Sequence, residues 1–420
     1  MIDIRLVRDS PALVKQNCIN KNDSSDIDAL SALDVQRRNI IKEVEDLKSV
    51  RNSVSQEIAA LKKSGQDAED KILAMRDAGD RIKVLDEDLR VLEERIEDIL
   101  LLIPNIAHES VPVGADAESN VEVKRVGECL PKAHRIDHIE ISKKLGILDF
   151  ERGAKVSGSG FGFYVGKGAR LERALLNFFL DTNTNTAGYK EIMTPFMVNA
   201  DSARGTGQLP KSHDDMYWTE RDNMYMVPTA EVPITNFHRD EVLPADELPI
   251  RYAGYSPCFR REAGSHGKDT RGFLRVHQFN KVELVKFCKP ENSYNELELL
   301  VEDVERLLCA LGLTYRVLLL STGDMTFGGA KTYDLEVWAP GEQRWLEVSS
   351  CTNFESFQAR RANIRYKPEP SAKPEFVHTL NGSALATARI LVALLEQYQT
   401  EDGNVIVPDC LQSYCGFDRI

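Results

Sequence analysis

Hydrophobic side chains recur in steps of three and four along residues 28–103, which is the heptad spacing of a coiled coil. The first run follows Leu30, Leu33, Arg37, Ile40, Val44, Leu47, Arg51, Val54, Ile58 and Leu61. After a polar break at residues 63–67 the second run follows Met75, Ala78, Ile82, Leu85, Leu89, Leu92, Ile96, Ile99 and Ile103. Pro104 then ends the pattern. Two similar runs around a short turn predict an antiparallel helical hairpin, each helix roughly 50 Å long.

The two predicted helices differ in charge. Residues 34–63 carry seven basic and five acidic side chains, whereas residues 68–103 carry six basic and eleven acidic ones. The more basic first helix suits a long anionic partner. A dimerisation coil, or two merely solvated faces, explains the same periodicity.

Residues 106–132 are irregular and contain Pro, Gly and Glu, which is typical of a linker. Further on, apolar Tyr333, Leu335 and Val337 alternate with polar neighbours, and a turn at residues 339–341 leads into a second run at 344–348. This pattern predicts a β-hairpin. Because strands and helices do not alternate regularly, we expect an α+β domain, an antiparallel sheet with helices packed on it.

Composition narrows the class of protein. A chain of 420 residues favours two domains, and 42% hydrophobic with 28% charged residues is ordinary for a globular protein. No apolar run is long enough for a bilayer, and charges within the first ten residues leave no signal-peptide core, so we expect a cytoplasmic protein without membrane contact. The eight scattered cysteines predict reduced structural thiols and no zinc site. The net charge of −13 argues against a general nucleic-acid coat but allows a local basic stripe.

Candidate chemistry lies at residues 255–285. The glycines of residues 158–168 match no phosphate-binding motif and indicate turns. In contrast, Arg260 and Glu262 lie two apart on a predicted strand, and a return strand places Phe279 and Glu283 on one face. A guanidinium, an aromatic ring and carboxylates suit a nucleotide plus an amino acid. An exposed sheet face with cross-strand ion pairs is the alternative.

A third candidate element begins at Ser383, a predicted N-cap for a helix over residues 384–397. That helix is apolar on nearly every side and should be buried. Arg389 is the charge in its interior. A buried guanidinium needs a partner, either a phosphate-bearing ligand or an internal carboxylate.

These elements together resemble the class II aminoacyl-tRNA synthetases, and the whole chain is similar to the bacterial-type seryl-tRNA synthetases. The matching segments include GTGQLP at 205–210, PTAEVP at 228–233, FRREAG at 259–264, EVSS at 347–350 and NGSALA at 381–386. The resemblance implies a class II antiparallel sheet with flanking helices, preceded by a long antiparallel coiled-coil hairpin. It divides the chain into a tRNA-binding domain at 1–110, with the arm at about 28–103, and a catalytic domain at 111–420.

The implied reaction is ATP- and Mg²⁺-dependent activation of L-serine, followed by transfer to the 3′ end of serine tRNA and also of selenocysteine tRNA. The arm would lie along the long variable arm of the tRNA. The stretch ending at Pro195 corresponds to the family's dimer interface, which implies a homodimer. Two other readings remain: a related ligase that loads a small amino acid onto a carrier protein, and a non-catalytic coiled-coil scaffold.

The resemblance also implies roles for single residues. For ATP, Arg260 would hold the α-phosphate, Glu262 the adenine amine and Arg389 the γ-phosphate, and the two arginines would be the catalytic residues. The further ATP-binding residues would be Arg261, Val276, Phe279, Glu347, Val348, Ser349 and Ser350, with Glu347 and Ser350 also holding Mg²⁺. The serine pocket would comprise Thr229, Ala230, Glu231, Glu283, Asn381 and Ser383.

Two details of the sequence remain to be tested. Glu347 and Ser350 are three apart and would point to opposite faces of a straight strand, so we predict an irregularity at Ser349. The chain departs from the family pattern at Arg204, Arg261 and His266 and at its C-terminal residues 413–420. We expect these departures to tune activity rather than abolish it.

Overall fold

A computed structural model of the chain describes residues 1–263 and 272–420. The polar loop expected at 263–272, including His266, lies almost wholly outside the described residues. The described chain forms two compact units, residues 2–104 and residues 105–420 with Met1. The first unit consists of helices α1 (Ile4–Asp9), α2 (Pro11–Asn20), α3 (Ile27–Lys63) and α4 (Glu69–Leu100).

The long helices α3 and α4 form the predicted antiparallel hairpin. Ion pairs cross between them in opposite chain order, from Arg37–Glu93 at 3.0 Å to Glu43–Arg81 at 2.8 Å and then Glu57–Lys71 nearer the turn. Every predicted seam position is buried or half-buried, and the intervening positions are mostly exposed. The seam therefore supplies the apolar contact that holds the two helices together.

A buried carboxylate joins the short and long helices of this unit. Asp34 on α3 is 3% exposed and accepts two hydrogen bonds from Arg8, at 2.9 and 3.0 Å. Arg38 lies 3.2 Å from the same carboxylate. The bond from Arg8 holds the pKa of Asp34 below its usual range, so the group stays ionised and paired despite its burial.

The second unit is built on an eight-stranded sheet with the order β1-β11-β12-β13-β16-β10-β9-β4. All neighbours are antiparallel except β4 and β9, which are parallel. The strands of this unit are β1 (Val121–Val126), β2 (Leu148–Asp149), β3 (Phe163–Tyr164), β4 (Lys190–Glu191), β5 (Met197–Asn199), β6 (Trp218–Thr219), β7 (Met224–Met226), β8 (Val242–Leu243), β9 (Ile250–Phe259), β10 (Gln278–Cys288), β11 (Tyr315–Leu319), β12 (Lys331–Ala339), β13 (Arg344–Asn353), β14 (Arg365–Tyr366), β15 (Glu375–Phe376) and β16 (His378–Ala386).

Helices cover this sheet and complete the α+β architecture. They are α5 (His138–Leu145), α6 (Phe150–Ser157), α7 (Lys167–Thr186), α8 (Ala200–Thr206), α9 (Glu231–Asn236), α10 (Ser293–Ala310), α11 (Phe357–Ala362), α12 (Thr387–Gln397) and α13 (Asp409–Cys415). Short 3₁₀ turns lie at Ala117–Ser119, His213–Asp215 and Pro290–Asn292. The main apolar core lies between the sheet and α7, α10 and α12, and includes Leu175, Leu300 and Leu391. None of the eight cysteines, all of which lie within the described residues, forms a disulfide. No helix among the described residues is long and apolar enough to cross a membrane.

Two expectations about elements were wrong. The segment 106–132 is not only a linker, because its residues 121–126 form β1 at the edge of the large sheet, paired with β11. Ser383 does not cap a helix. It lies within β16 opposite Glu283, and α12 begins only at Thr387. In both cases strand pairing with residues distant in sequence overrides the local signal.

Candidate active site

A cavity of about 200 Å³ opens where β10, β13 and β16 meet the start of α12. Its lining combines three arginines, a lysine, two carboxylates, a serine and apolar side chains. The lining residues are Arg260, Glu262, Phe273, Leu274, Arg275, Val276, Phe279, Lys281, Glu347, Val348, Ser383, Ala386, Ala388 and Arg389. Cationic and apolar groups in one concave site suit an anionic ligand with a flat ring.

Arg260 and Glu262 reach this cavity from a loop rather than from a strand. β9 ends at Phe259, so the expectation that both residues share a strand face is corrected. Glu262 has φ of +52°, a left-handed backbone conformation that turns the chain. Its carboxylate pairs with Arg275 at 2.6 Å, while the Arg260 guanidinium lies 5.2 Å from the ring centre of Phe279. The loop therefore places a cation over the aromatic ring and a carboxylate in the lining of the same cavity.

Arg389 faces the same cavity from the first turn of α12. Its side chain is 31% exposed, so the expected full burial is corrected. It donates to the backbone oxygen of Glu347 at 2.7 Å and to that of Leu274 at 3.3 Å. The Glu347 carboxylate is 3.6 Å away. Both candidate ligands of this guanidinium are thus available, an internal carboxylate and any anion in the cavity.

A β-bulge brings the candidate metal ligands together. On the neighbouring strand β12, Leu335 pairs with Ser349 and Glu336 pairs with Glu347. Val348 has no ladder partner on the described part of β12. The irregularity predicted at Ser349 is therefore present one residue earlier. Because the bulge adds one residue to the strand, the face alternation is reset between Glu347 and Ser350.

Oxygen atoms suited to Mg²⁺ gather beside this bulge. Asp334 pairs across the ladder with Ser350, and its Oδ1 atom has no hydrogen-bond partner among the described residues. Burial, and then the charge of Glu347, raises the pKa of Asp334 well above its usual range. An unpaired carboxylate oxygen, a second carboxylate and a hydroxyl are the hard ligands that Mg²⁺ prefers.

A second group of polar residues adjoins the cavity. Glu283 on β10 is 2% exposed and accepts a hydrogen bond from Thr229 at 2.9 Å. Lys281 forms an ion pair with the same carboxylate, and Ser383 lies directly opposite Glu283 across the ladder. This carboxylate with its hydroxyl neighbours can hold an ammonium group and a hydroxyl group.

Glu231 lies beside this group at the start of α9. Its carboxylate accepts from Gln358 at 2.6 Å. Burial, and then the charge of Glu283, raises its pKa to about 7. A cation bound between the carboxylates of Glu231 and Glu283 would lower the free-energy cost of ionising both groups, because it favours their charged forms. Asn381 is buried on β16, opposite Val285.

Three expected site residues have side chains directed elsewhere. Arg261 donates to the backbone oxygen of Asp214 at 3.2 Å and does not line the cavity. Ser349 is buried with its hydroxyl 3.6 Å from the sulfur of Cys351. The methyl group of Ala230 packs in an apolar cluster with Ile234. These placements rule out only side-chain contacts within the cavity, since backbone groups at the same positions remain available.

Three residues at the site were not proposed from the sequence. Lys281 lies midway between Phe279 and Glu283 on β10, so strand alternation alone places it on the face that they share, and this spacing is a usable signal. Arg275 lies shortly before the return strand β10, at a position where the sequence shows no periodic pattern. Gln358 is distant from Glu231 in the chain, and only tertiary packing reveals their contact.

The class of protein follows from this sheet and site together with family comparisons. A family profile described as tRNA synthetase class II core domain (G, H, P, S and T) matches residues 217–398. That segment contains the whole candidate site. The large sheet and its flanking helices are therefore those of a class II aminoacyl-tRNA synthetase core domain. A second profile, Seryl-tRNA synthetase N-terminal domain, matches residues 1–107.

Full-length relatives narrow the class. A serine–tRNA ligase of Chlorobium phaeobacteroides is 54% identical over 429 aligned residues, covering 100% of both chains. A serine–tRNA ligase of Carboxydothermus hydrogenoformans is 56% identical, covering 100% of this chain and 99% of the relative. The crystal structure of seryl-tRNA synthetase from Pyrococcus horikoshii complexed with ATP superposes with a TM-score of 0.96 at 37% identity, covering 100% and 99% of the two chains. The chain belongs to the seryl-tRNA synthetase family.

Proposed function

We propose that this protein activates L-serine with ATP and transfers the seryl group to the 3′ end of serine tRNA, with selenocysteine tRNA as a further acceptor. One observation carries the proposal. A single cavity runs from the cationic and aromatic group of Arg260, Phe279 and Arg389 to Ser383, which faces the Glu283 carboxylate. The two reactants of an activation step thus have adjoining sites. The ATP of the Pyrococcus complex and the names of the curated relatives support the same assignment.

In the first step, the serine carboxylate attacks the α-phosphorus of ATP, giving seryl-adenylate and releasing pyrophosphate. Phe279 stacks on adenine beside Val276, Glu262 accepts from its exocyclic amine, Arg260 binds the α-phosphate and Arg389 the γ-phosphate. The guanidinium groups stabilise charge that grows on the phosphate oxygens. The protein need not supply a nucleophile, because positioning two bound reactants provides much of the rate.

Recognition of serine is assigned to the group around Glu283. Its carboxylate and the hydroxyls of Thr229 and Ser383 bind the ammonium and hydroxyl groups of the substrate. Glu231 adds negative charge beside the ammonium group. Alanine is rejected because these buried polar groups would lose their partners, and threonine because its extra methyl group has no room.

The Oδ1 atom of Asp334, which has no hydrogen-bond partner among the described residues, supports a site for Mg²⁺ beside the bulge. Glu347 and Ser350 would hold the ion together with ATP. When bound, Mg²⁺ neutralises phosphate charge. The residues of the chain would fix where the triphosphate ends, with Glu347 as a ligand of the ion and Arg389 as a partner of the γ-phosphate.

In the second step, a terminal ribose hydroxyl of the tRNA takes the acyl group and AMP leaves. We assign tRNA binding to the hairpin, principally to its first helix α3. Four basic residues of α3, namely Lys42, Arg51, Lys62 and Lys63, make no ion pair with any other residue in the described part of the chain. They are available to RNA phosphates, whereas several other charges of the hairpin pair with one another.

A homodimer is proposed on the exposed apolar residues around Pro195. Met193 is 88% exposed, Phe196 37% and Met197 39%. Three large apolar side chains on one short segment favour contact with a second copy of the chain.

Pyrophosphate exchange measured with each amino acid in turn tests the activation step. We expect exchange that depends on serine and falls at least a hundredfold with alanine or threonine. Exchange driven best by glycine or alanine would instead support a ligase that loads a carrier protein. Absence of exchange with every amino acid would support a non-catalytic scaffold.

A further inference from the structure

A buried carboxylate on α7 lies beneath the candidate active site, on the opposite side of β10. Glu172 is 5% exposed. Its Oε1 atom accepts hydrogen bonds from Asn280 Nδ2 at 2.7 Å and from the Thr387 hydroxyl at 2.5 Å. Burial of a carboxylate is costly unless such bonds are present, so this contact is specific rather than incidental. None of the roles assigned above uses Glu172.

The two donors lie next to cavity residues in sequence. Asn280 lies between Phe279 and Lys281 on β10, and its side chain points away from them because side chains alternate along a strand. Thr387 is the first residue of α12, directly after Ala386 and two residues before Arg389. Phe279, Ala386 and Arg389 all line the cavity. Glu172 thus holds the backbone from which the nucleotide-facing residues project.

The ladder between β10 and β16 is irregular at this point. Lys281 pairs with Ala386 and Glu283 pairs with Ser383, so the register shifts between them. From Glu283 to Cys288 the pairing is regular. The serine-facing residues are therefore held by continuous ladder hydrogen bonds. At the irregular end, the Thr387 hydroxyl lies 3.0 Å from the backbone oxygen of Asn280. A side-chain hydrogen bond therefore connects β10 to the start of α12 where the regular ladder between β10 and β16 ends.

We propose that Glu172 is a positioning residue for ATP, which it holds in place through Asn280 and Thr387 by fixing the spacing between Phe279 on β10 and Arg389 on α12. This proposal rests on the proposed function, since it concerns the nucleotide half of the same site. Tyr255 extends the network, because its hydroxyl donates to Asn280 Oδ1 at 3.0 Å and fixes the orientation of that amide.

The test is the effect of Glu172→Ala and Thr387→Val on pyrophosphate exchange with serine. Both changes remove a hydrogen bond between Glu172 and Thr387. We expect the KM for ATP to rise about tenfold in each variant, while the KM for serine stays within about twofold of wild type. Thr387→Ser keeps the hydroxyl and should restore the KM for ATP. Glu172→Gln, which keeps an acceptor oxygen, should give an intermediate value.

Asp181→Asn is the matched control. Asp181 lies on the same helix, and its carboxylate accepts from Tyr414 rather than from a site residue. It should leave both KM values unchanged. Thermal unfolding of every variant shows whether a change in KM reflects a loss of folding. If Glu172→Ala does not fold, the comparison of Thr387→Val with Thr387→Ser still tests the proposal.

A rise in both KM values to the same extent in Glu172→Ala and Thr387→Val would overturn the proposal, and so would an unchanged KM for ATP. Failure of Thr387→Ser to recover would also overturn it. All of these outcomes leave serine-dependent exchange by the wild-type protein intact. Loss of that exchange would contradict the proposed function itself, so the two failures are distinguishable.

Discussion

Adjacent residues at this site have opposite surroundings. Arg260 faces Phe279 within the cavity, and the next residue, Arg261, turns outward and donates to the backbone of Asp214. Residue type alone does not separate them, since both are arginines in a motif that suggests phosphate binding. Their different directions follow from the end of β9 at Phe259 and the turn that begins there.

This difference gives a direct prediction. Arg260→Ala should lower kcat/KM for ATP in pyrophosphate exchange by about a hundredfold or more, because a charge that stabilises the transition state is lost. Arg261→Ala should stay within about twofold of wild type. Equal losses in the two variants would contradict the placement of Arg261 outside the cavity.

A pH prediction follows from Glu231, whose pKa is raised to about 7 by burial and by the neighbouring charge of Glu283. Below pH 7 the group is mostly protonated and neutral, and above pH 7 it is ionised. Because the serine ammonium binds the ionised form better, the KM for serine should fall up to about tenfold between pH 6 and pH 8. Glu231→Gln should remove this dependence. A KM that rises with pH in the wild-type protein would refute the assignment.

At the scale of secondary-structure elements, irregular strands shape the site. The bulge at Val348 resets the side-chain alternation before Ser350, and the register shift after Lys281 separates the nucleotide-facing end of β10 from its serine-facing end. A straight pair of strands would place alternate residues on the far face. The need for an irregularity near Ser349 followed from spacing alone, whereas its location at Val348 required the structure.

The hairpin supplies a prediction at the scale of secondary-structure elements. Replacing Lys62 and Lys63 on α3 by Glu should raise the KM for serine tRNA about tenfold or more, because two phosphate contacts are replaced by repulsion. The same change at Arg76 and Arg95 on α4 is the matched control and should have a much smaller effect. Charging assays at several salt concentrations provide the measurement. A larger effect on α4 would reverse the assignment of the RNA-facing helix.

At the scale of the whole molecule, periodic and local features were predictable and long-range pairings were not. The heptad spacing of residues such as Leu33 and Leu85 specified the hairpin, because coiled-coil packing depends on sequence spacing. The strand role of Ser383 and the strand at residues 121–126 depend on partners far away in the chain. Ser383 therefore looked like a helix cap, and Gln358 gave no signal at all.

Association of two copies is a further prediction at this scale. Met193→Asp combined with Met197→Asp should shift the protein from dimer to monomer, because charges would be placed on an apolar contact surface. Val113→Asp is the control and should leave the dimer intact. Val113 is also an exposed apolar residue, with 71% of its surface accessible, but it lies outside the segment around Pro195. Sedimentation velocity distinguishes the two states. A wild-type protein that sediments as a monomer would contradict the prediction.

The most direct test of the central claim compares activation and charging in the full chain and in a variant lacking residues 33–100. The full chain should catalyse serine-dependent pyrophosphate exchange and should load serine onto serine tRNA. The shortened protein should retain exchange within about threefold and lose charging by about a hundredfold or more, because the site is intact but the RNA contact is gone. Full charging by the shortened protein, or no serine on tRNA with the full chain, would contradict the account.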